Sequence, residues 1–264
     1  MPFSLDQFSA VSLVLKYRSV LVEKRLSPAT INVRLSAIRS LVNYARKIGQ
    51  CRFSLEDVEG LKVQAYRDTS GIGPARFSAM AALPALSTLK GKRDYAILRL
   101  LWDNALRRSE VSLAELRDYD QDGGRLWIQG KGKQQKEAVD LSRQARAAID
   151  DWLAARSNDV NLCPVDGQAP LFCTLDRATI GHRMSGNAIY EVVRNIADLA
   201  GIKKVISPHR IRHSAITAAL DVTGGDTRRV QKLSRHADLN TLTRYDDNRR
   251  RHQKEITNLL ADLV

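Results

Sequence analysis

Ten residues about a quarter of the way along the chain, RDTSGIGPAR from Arg67 to Arg76, constrain the fold more than any others. They combine two Gly, one Pro, Ser and Thr with almost no apolar content, the composition of a linker between packed units. No single core can run through such a stretch. The chain of 264 residues therefore reads as a small unit over about 1–70, a linker at 71–76 and a larger unit over 77–264. A hydrophobic content of 44% is enough to fill a core in each.

The small unit has helical periodicity. Ser27-Pro28 has the form of an N-cap followed by Pro at the first helical position, and Gly49 stands where a helix should stop. Between them Ile31, Leu35, Ile38, Val42 and Ala45 recur at spacings of four and three, a stripe suited to burial. Another face carries Asn32, Ser36, Arg39, Asn43 and Arg46. It reads either as a solvated face or as a strip lying along a DNA groove, with Arg39 and Arg46 as its DNA-binding cations.

Past the linker, Ile97, Leu98, Leu101 and Trp102 predict a helix over 94–104. Asn104 to Arg108 should carry the turn into a second helix, with Ser109 as its cap. The period then changes. Arg125–Ile128 and Ala138–Leu141 are short β-like runs joined by GKGKQQK, which predicts a hairpin with a basic tip. Helices resume with Ile189, Val192, Val193, Ile196 and Leu199, closed by Gly201; Ser207-Pro208 opens another, and Gly224-Gly225-Asp226 is a break followed by a cap. The fold class is mainly α with a small antiparallel β-sheet.

Charge limits the function. Forty-two Lys and Arg against 29 Asp and Glu leave a formal +13, a field that draws polyanions, above all nucleic acid; a generically basic surface is the alternative. No apolar stretch approaches the roughly 18–20 residues needed to span a bilayer, and MPFSLDQFSA lacks the pattern of a secretory signal, so a soluble, cytoplasmic protein without membrane partners is expected. Cys51, Cys163 and Cys173 are odd in number and widely spaced, without zinc-ligand spacing, so reduced buried thiols and no metal are expected.

Two stretches could carry chemistry. In SPHRIRHS (207–214), His209 and Arg212 lie three apart near a helix N-terminus, where both can meet an anion. In LSRHADLNTLTRY (233–245), Tyr245 follows His236 by nine residues. A phenol with a pKa near ~10 needs a base or a strongly positive site to act as a nucleophile.

Together with ALRRSEV (105–111) and the GKGK tip (130–133), these stretches resemble the four ordered signatures of tyrosine recombinases, the family of phage integrases and Xer-type resolvases. The resemblance covers about residues 77–250. It implies a recombinase catalytic domain preceded by a short helical core-binding (SAM-like) domain. It also implies Arg107, Lys131, His209, Arg212, His236 and Tyr245 as catalytic residues, with Lys133 the fallback for the hairpin lysine and otherwise a DNA-binding cation. Glu110 would support Arg107 or cap its helix. The implied activity is site-specific recombination through a 3′-phosphotyrosine, independent of metal and cofactor, on double-stranded DNA, by a homotetramer on two paired sites. His209 either accepts the Tyr245 proton or orients the phosphate. Rival readings are a type IB topoisomerase-like enzyme and a catalytically silent DNA-binding regulator of the same fold.

The sequence departs from the family pattern in three places. Asn104-Ala105 stands where Thr-Gly is usual, and Ser234-Arg235 where Leu-Gly is usual. The core-binding domain is shorter than usual, as in a shortened or truncated clamp. After Arg249-Arg250-Arg251, the run with Ile256, Leu259, Leu260 and Leu263 reads as a terminal helix that packs into a neighbouring protomer or folds back on its own domain.

Overall fold

The structure is a computed structural model that describes residues 5–63, 71–130, 132, 135–160, 162, 166–236, 238, 239, 242, 257 and 260–262. It divides into two compact units, Met1–Tyr66 and Arg67–Val264.

The first unit is a helical pair followed by an extended return segment. Helix α1 (Gln7–Glu23) is capped by Asp6, whose carboxylate accepts the Ser9 N–H at 2.8 Å. Helix α2 (Pro28–Lys47) starts at Ser27, whose hydroxyl accepts the Thr30 N–H, and the chain leaves it through Gly49 at φ +72°. Ile31, Leu35, Val42 and Ala45 of the apolar stripe are buried, and Ile38 packs at the edge of the same core. Cys51, Phe53, Leu55 and Val58 from the return segment complete that core.

Two side-chain amides hold the return segment where a strand ladder otherwise would. Gln7 exchanges both hydrogen bonds with the backbone of Ser54 (2.7 and 2.8 Å), and Asn32 does the same with Leu61 (2.7 and 2.8 Å). The polar stripe of α2 is correspondingly engaged with this segment. Arg39 reaches the Val58 carbonyl at 3.4 Å and the Ser36 hydroxyl at 3.3 Å, and Arg46 stands 3.7 Å from Glu56.

In the second unit, helix α3 (Gly73–Ala81) begins inside the stretch expected to be linker. Pro74 sits at the start of this helix, where its fixed φ favours helix entry, and Phe77 gains burial by stacking on Trp102 with ring centroids 4.2 Å apart. Ahead of the helix the Ile72 N–H donates to the Ser214 hydroxyl at 2.9 Å. A Cβ on Gly71 would collide with that same Ser214, so only glycine allows this approach.

Helix α4 (Leu89–Asp103) forms the centre of the large core. It starts five residues before the expected point, because Thr88 caps it through the Gly91 N–H. Ala96, Ile97, Leu98, Leu100 and Leu101 cover enough of its circumference that it is surrounded by packing rather than amphipathic. Against it lie α5 (Arg108–Leu113), α6 (Arg143–Ser157), α7 (Gly186–Leu199) and α8 (Pro208–Val222). Trp152 of α6 is fully buried and donates its indole N–H to the Leu171 carbonyl at 2.8 Å, so its polar atom costs nothing on burial.

The sheet is antiparallel in the order β1 (Tyr119–Asp120), β2 (Arg125–Gln129), β3 (Lys136–Asp140). Strands β2 and β3 are the expected hairpin, in register from Arg125 opposite Asp140 to Gln129 opposite Lys136. The two-residue β1 was not foreseen, since no alternation can show in so short a strand. Lys136, at the loop end of the hairpin, is fastened to Asp118 at 2.7 Å. A satellite core of Ala105, Ala215, Ile216, Leu220, Val230 and Leu242 links the turn after α4 to α8 and α9 (Thr227–Ser234). Gly224 and Gly225 break the chain and Asp226 caps α9 through the Arg229 N–H, as the sequence predicts. Cys51 and Cys173 are buried free thiols, while Cys163 lies outside the described residues. No described helix is long and apolar enough to cross a membrane.

Candidate active site

Three separate segments of the second unit bring cations together. The first is the turn between α4 and α5. Arg107, rather than Ser109, is the N-cap of α5: its backbone is extended (φ −75°, ψ 150°), and its N–H donates to the Glu110 carboxylate at 2.7 Å. The side chain three residues into the helix thus satisfies the cap donor, which leaves Ser109 inside the helix. Glu110 also takes the Arg107 guanidinium at 2.7 Å, so it is both cap partner and support for Arg107. The Arg107 side chain remains 28% exposed, open to an anion on its free edge.

The second segment is the start of α8. Ser207 caps it by accepting the Arg210 N–H at 3.2 Å, and Pro208 occupies the first turn. Arg212 is buried in spite of its charge, because its guanidinium donates to the carbonyls of Ala105 and Ser234. A charge can be buried only when hydrogen bonds replace its water, and here backbone from two other loops does so. His209 and His213, one helical turn apart, face each other edge to face with their Nε2 atoms at 2.7 Å.

The third is the loop after α9, where Arg235 adopts the left-handed conformation (φ +53°) and turns the chain so that His236 Nε2 lies 3.4 Å from the Arg212 guanidinium. The Gln231 side chain donates to the His236 carbonyl at 2.9 Å and holds this loop. Ala105, in the facing loop, is also left-handed at φ +45°. Such a backbone costs a non-glycine residue about 1 kcal/mol, so its occurrence on both sides of the site marks loops held by their contacts.

Electrostatics shows how close these groups are. Burial lowers the His236 pKa to about 4, aided by the charges of Arg212, Arg107 and Arg235. Burial likewise brings His213 down to about 4, with His209 and Arg212 contributing. His209 is lowered by burial and then by Arg212 and Arg107. All three imidazoles are therefore neutral near pH 7. For Glu110, burial raises the pKa, but the charges and hydrogen bonds of Arg235 and Arg107 outweigh it and leave the carboxyl below its ordinary value.

Of the residues that the sequence singled out, Arg107, His209, Arg212 and His236 come together at one place, within the electrostatic reach of one another. Lys131, Lys133 and Tyr245 lie outside the described residues. Arg39 and Arg46 belong to the other unit. Sequence reasoning missed His213 and Arg235. His213 sits one turn beyond His209 inside a motif already singled out, a visible but unused signal, and Arg235 had been noted only as a departure from a usual glycine. Among the described residues, no group of three or more His, Cys, Asp or Glu is placed to hold a metal ion.

Two guanidiniums with donor-capable imidazoles near them suit a tetrahedral or pentacoordinate phosphorus centre that gathers negative charge. Residues 78–252 match the phage integrase family, and the chain belongs to that family, as a tyrosine recombinase. It is 59% identical over 261 residues to tyrosine recombinase slr0733 of Synechocystis sp., covering 99% of this chain and 82% of that protein. A tyrosine recombinase of Synechococcus elongatus is 50% identical over 262 residues (99% and 80% covered), and tyrosine recombinase XerC of Syntrophus aciditrophicus 28% over 242 residues (88% and 74%). Among solved structures, the XerH site-specific recombinase in a post-cleavage complex with palindromic difH substrate superimposes with a TM-score of 0.73 at 19% identity, covering 98% of this chain and 73% of that one. The Tn1549 transposon integrase in complex with a circular intermediate DNA does so at 0.64 and 17% identity, covering 89% and 80%. These two likenesses establish the fold.

Proposed function

We propose that the chain cuts and rejoins double-stranded DNA at specific sites through a 3′-phosphotyrosine formed on Tyr245. The observation that carries this reading is the convergence of Arg107, Arg212, His209 and His236, drawn from three segments more than 100 residues apart at the extremes. Each cation has a fixed anchor: Glu110 for Arg107 and two carbonyls for Arg212. Anchored cations need little reorganisation when the phosphate becomes more negative, which is the condition for selective transition-state stabilisation.

In the first step the Tyr245 oxygen attacks phosphorus, the bond to the 5′ oxygen breaks, and that oxygen leaves as a hydroxyl with a proton from Lys131. His209, neutral at pH 7, takes the phenolic proton or orients a phosphate oxygen. His236 donates to a non-bridging oxygen beside Arg212. In the second step a 5′ hydroxyl from a partner strand attacks the phosphotyrosine, so the energy of the broken linkage is kept and no nucleotide is hydrolysed. Residues 1–70 act as the DNA clamp, with Arg39 and Arg46 on the backbone, and Lys133 adds a phosphate contact at the hairpin tip. Four copies assemble on two sites, in the cytoplasm. The DNA substrates named for the XerH and Tn1549 complexes support a DNA partner.

The test is a site in which sulfur replaces the bridging 5′ oxygen. Wild type should accumulate a covalent adduct, since the thiol leaves and does not return, and Tyr245→Phe should give none. Equal trapping by both proteins would overturn the assignment. On the same substrate Lys131→Ala should cleave at nearly the wild-type rate, because a thiolate leaves without a proton; failure of that rescue would remove Lys131 as the acid.

A further inference from the structure

We propose that Arg235 is a positioning residue for strand cleavage: its guanidinium shares the buried Glu110 carboxylate with Arg107 and fastens the loop of Arg107 to the loop of His236. This rests on the cleavage reaction proposed above and adds a residue to its machinery.

The contacts are numerous and directed. Arg235 Nη2 lies 2.9 Å from Glu110 Oε2, and the same oxygen accepts the Arg107 N–H at 2.7 Å, while Glu110 Oε1 accepts from the Arg107 guanidinium at 2.7 Å. Arg235 Nη1 donates to the carbonyls of Leu233 (2.8 Å) and Asn104 (3.2 Å), and Nη2 reaches that of Ala105 at 3.4 Å. Its Nε stands 3.6 Å from Glu137 on β3. The side chain is only 10% exposed and Glu110 is fully buried, so Arg235 is turned inward and acts through its neighbours.

Two consequences follow from this geometry. The Ala105 carbonyl receives both Arg212 and Arg235, and Glu110 receives both Arg235 and Arg107. Arg235 therefore lies between the two arginines that would hold the phosphate and sets the spacing of the loops that carry them. A carboxylate paired with Arg107 alone would also neutralise most of that charge; a second cation on the same carboxylate leaves more of the Arg107 field for the substrate. The backbone gives independent support. At φ +53° a glycine would be unstrained, and an arginine persists there with both terminal guanidinium nitrogens held by carbonyls and by Glu110.

The test compares wild type with Arg235→Gly and Arg235→Asn, both tolerant of a left-handed backbone, and with Arg235→Lys, which keeps the cation but loses the fork. Site affinity and the single-turnover cleavage rate at saturating protein are measured separately on the sulfur-substituted site, with urea unfolding as the folding control. The expected result is affinity within about twofold of wild type, and cleavage slowed by about 10- to 100-fold in the glycine and asparagine variants, with partial recovery in Arg235→Lys. A folded glycine or asparagine variant cleaving at the wild-type rate would overturn the proposal. So would failure of both to fold, or a loss confined to affinity, because either would make Arg235 a structural or DNA-contact residue only. If wild type itself forms no adduct, the proposed function has failed instead, and the two failures stay distinct.

Discussion

Arg39 and Arg46 of the first unit are held differently from the arginines gathered at the site of the second. In the first unit Arg39 and Arg46 make long contacts, 3.4 Å to a carbonyl and 3.7 Å to an exposed Glu56, and Arg46 keeps 41% of its side chain in solvent. In the second, Arg212 and Arg235 are withdrawn from water and held by backbone carbonyls, and Arg107 is clamped by a fully buried carboxylate. A loosely held surface cation can follow a phosphate along a flexible backbone at little cost, whereas a fixed one can discriminate between two charge distributions at a single atom. The molecule keeps the first kind where it would grip DNA and the second where it would cut it.

The contrast is broken most severely at Arg212. Arg212→Ala should lower single-turnover cleavage by about 1,000-fold or more. It should also cost the second unit roughly 2–5 kcal/mol in urea unfolding, because the Ser234 and Ala105 carbonyls each lose a charged donor and the packing around the side chain is emptied. Arg46→Ala should change stability by no more than about 0.5 kcal/mol, as expected of an exposed pair. If the two variants were equally stable, the distinction between fixed and loose arginines would be lost. A smaller effect is expected inside the first unit: Asn32→Ala strands both backbone groups of Leu61 and should destabilise that unit by about 1–3 kcal/mol, with little change in the cleavage rate at saturating protein.

Acid should separate the units as well. Residues 1–66 contain no histidine, while His213 and His236 are depressed to about 4 in the folded second unit and return to an ordinary value near 6.5 on unfolding. Between those values the unfolded chain binds more protons, so the stability these groups contribute is present above about pH 6.5 and is lost as the pH falls towards 4. Thermal unfolding from pH 7 to 5 should lower the midpoint of the second unit more than that of the first; equal shifts would contradict the burial of these rings. Bound phosphate should raise the same pKa values, giving proton uptake on DNA binding near pH 6, measurable by calorimetry in buffers of different ionisation enthalpy. The smallest effect is expected in the first unit: if it clamps DNA as proposed, Arg39→Gln and Arg46→Gln should each reduce the salt dependence of DNA binding by about one unit of log K against log salt, with cleavage at saturation unchanged.

Much of this architecture could be read from short-range patterns. The caps at Ser27 and Ser207, the stops at Gly49 and Gly201 and the β2–β3 hairpin all depend on residues within a few positions of one another, and the structure has them where the sequence predicts. The start of α5 was misplaced because its cap donor is satisfied from inside the helix by Glu110, which a rule that looks for Ser at the cap does not detect. The first residues of α3, Gly73 to Arg76, read as linker because Gly and Pro dominate them, whereas the helix is held by Phe77 and Met80, whose burial depends on partners far along the chain. For the site, the motif residues identified Arg107, His209, Arg212 and His236, but nothing local showed that Arg235 would turn inward. Its partners at 104, 105, 110 and 137 lie about 100 or more residues away, beyond the reach of any periodicity.

The left-handed turns at Ala105 and Arg235 also shape how relatives of this chain can diverge. Glycine at either position would relax its own turn, but at 235 the same change would empty the space behind the carboxylate and unfasten the facing loop. The two positions should therefore drift together across lineages, each one's tolerated residues depending on what its counterpart has become.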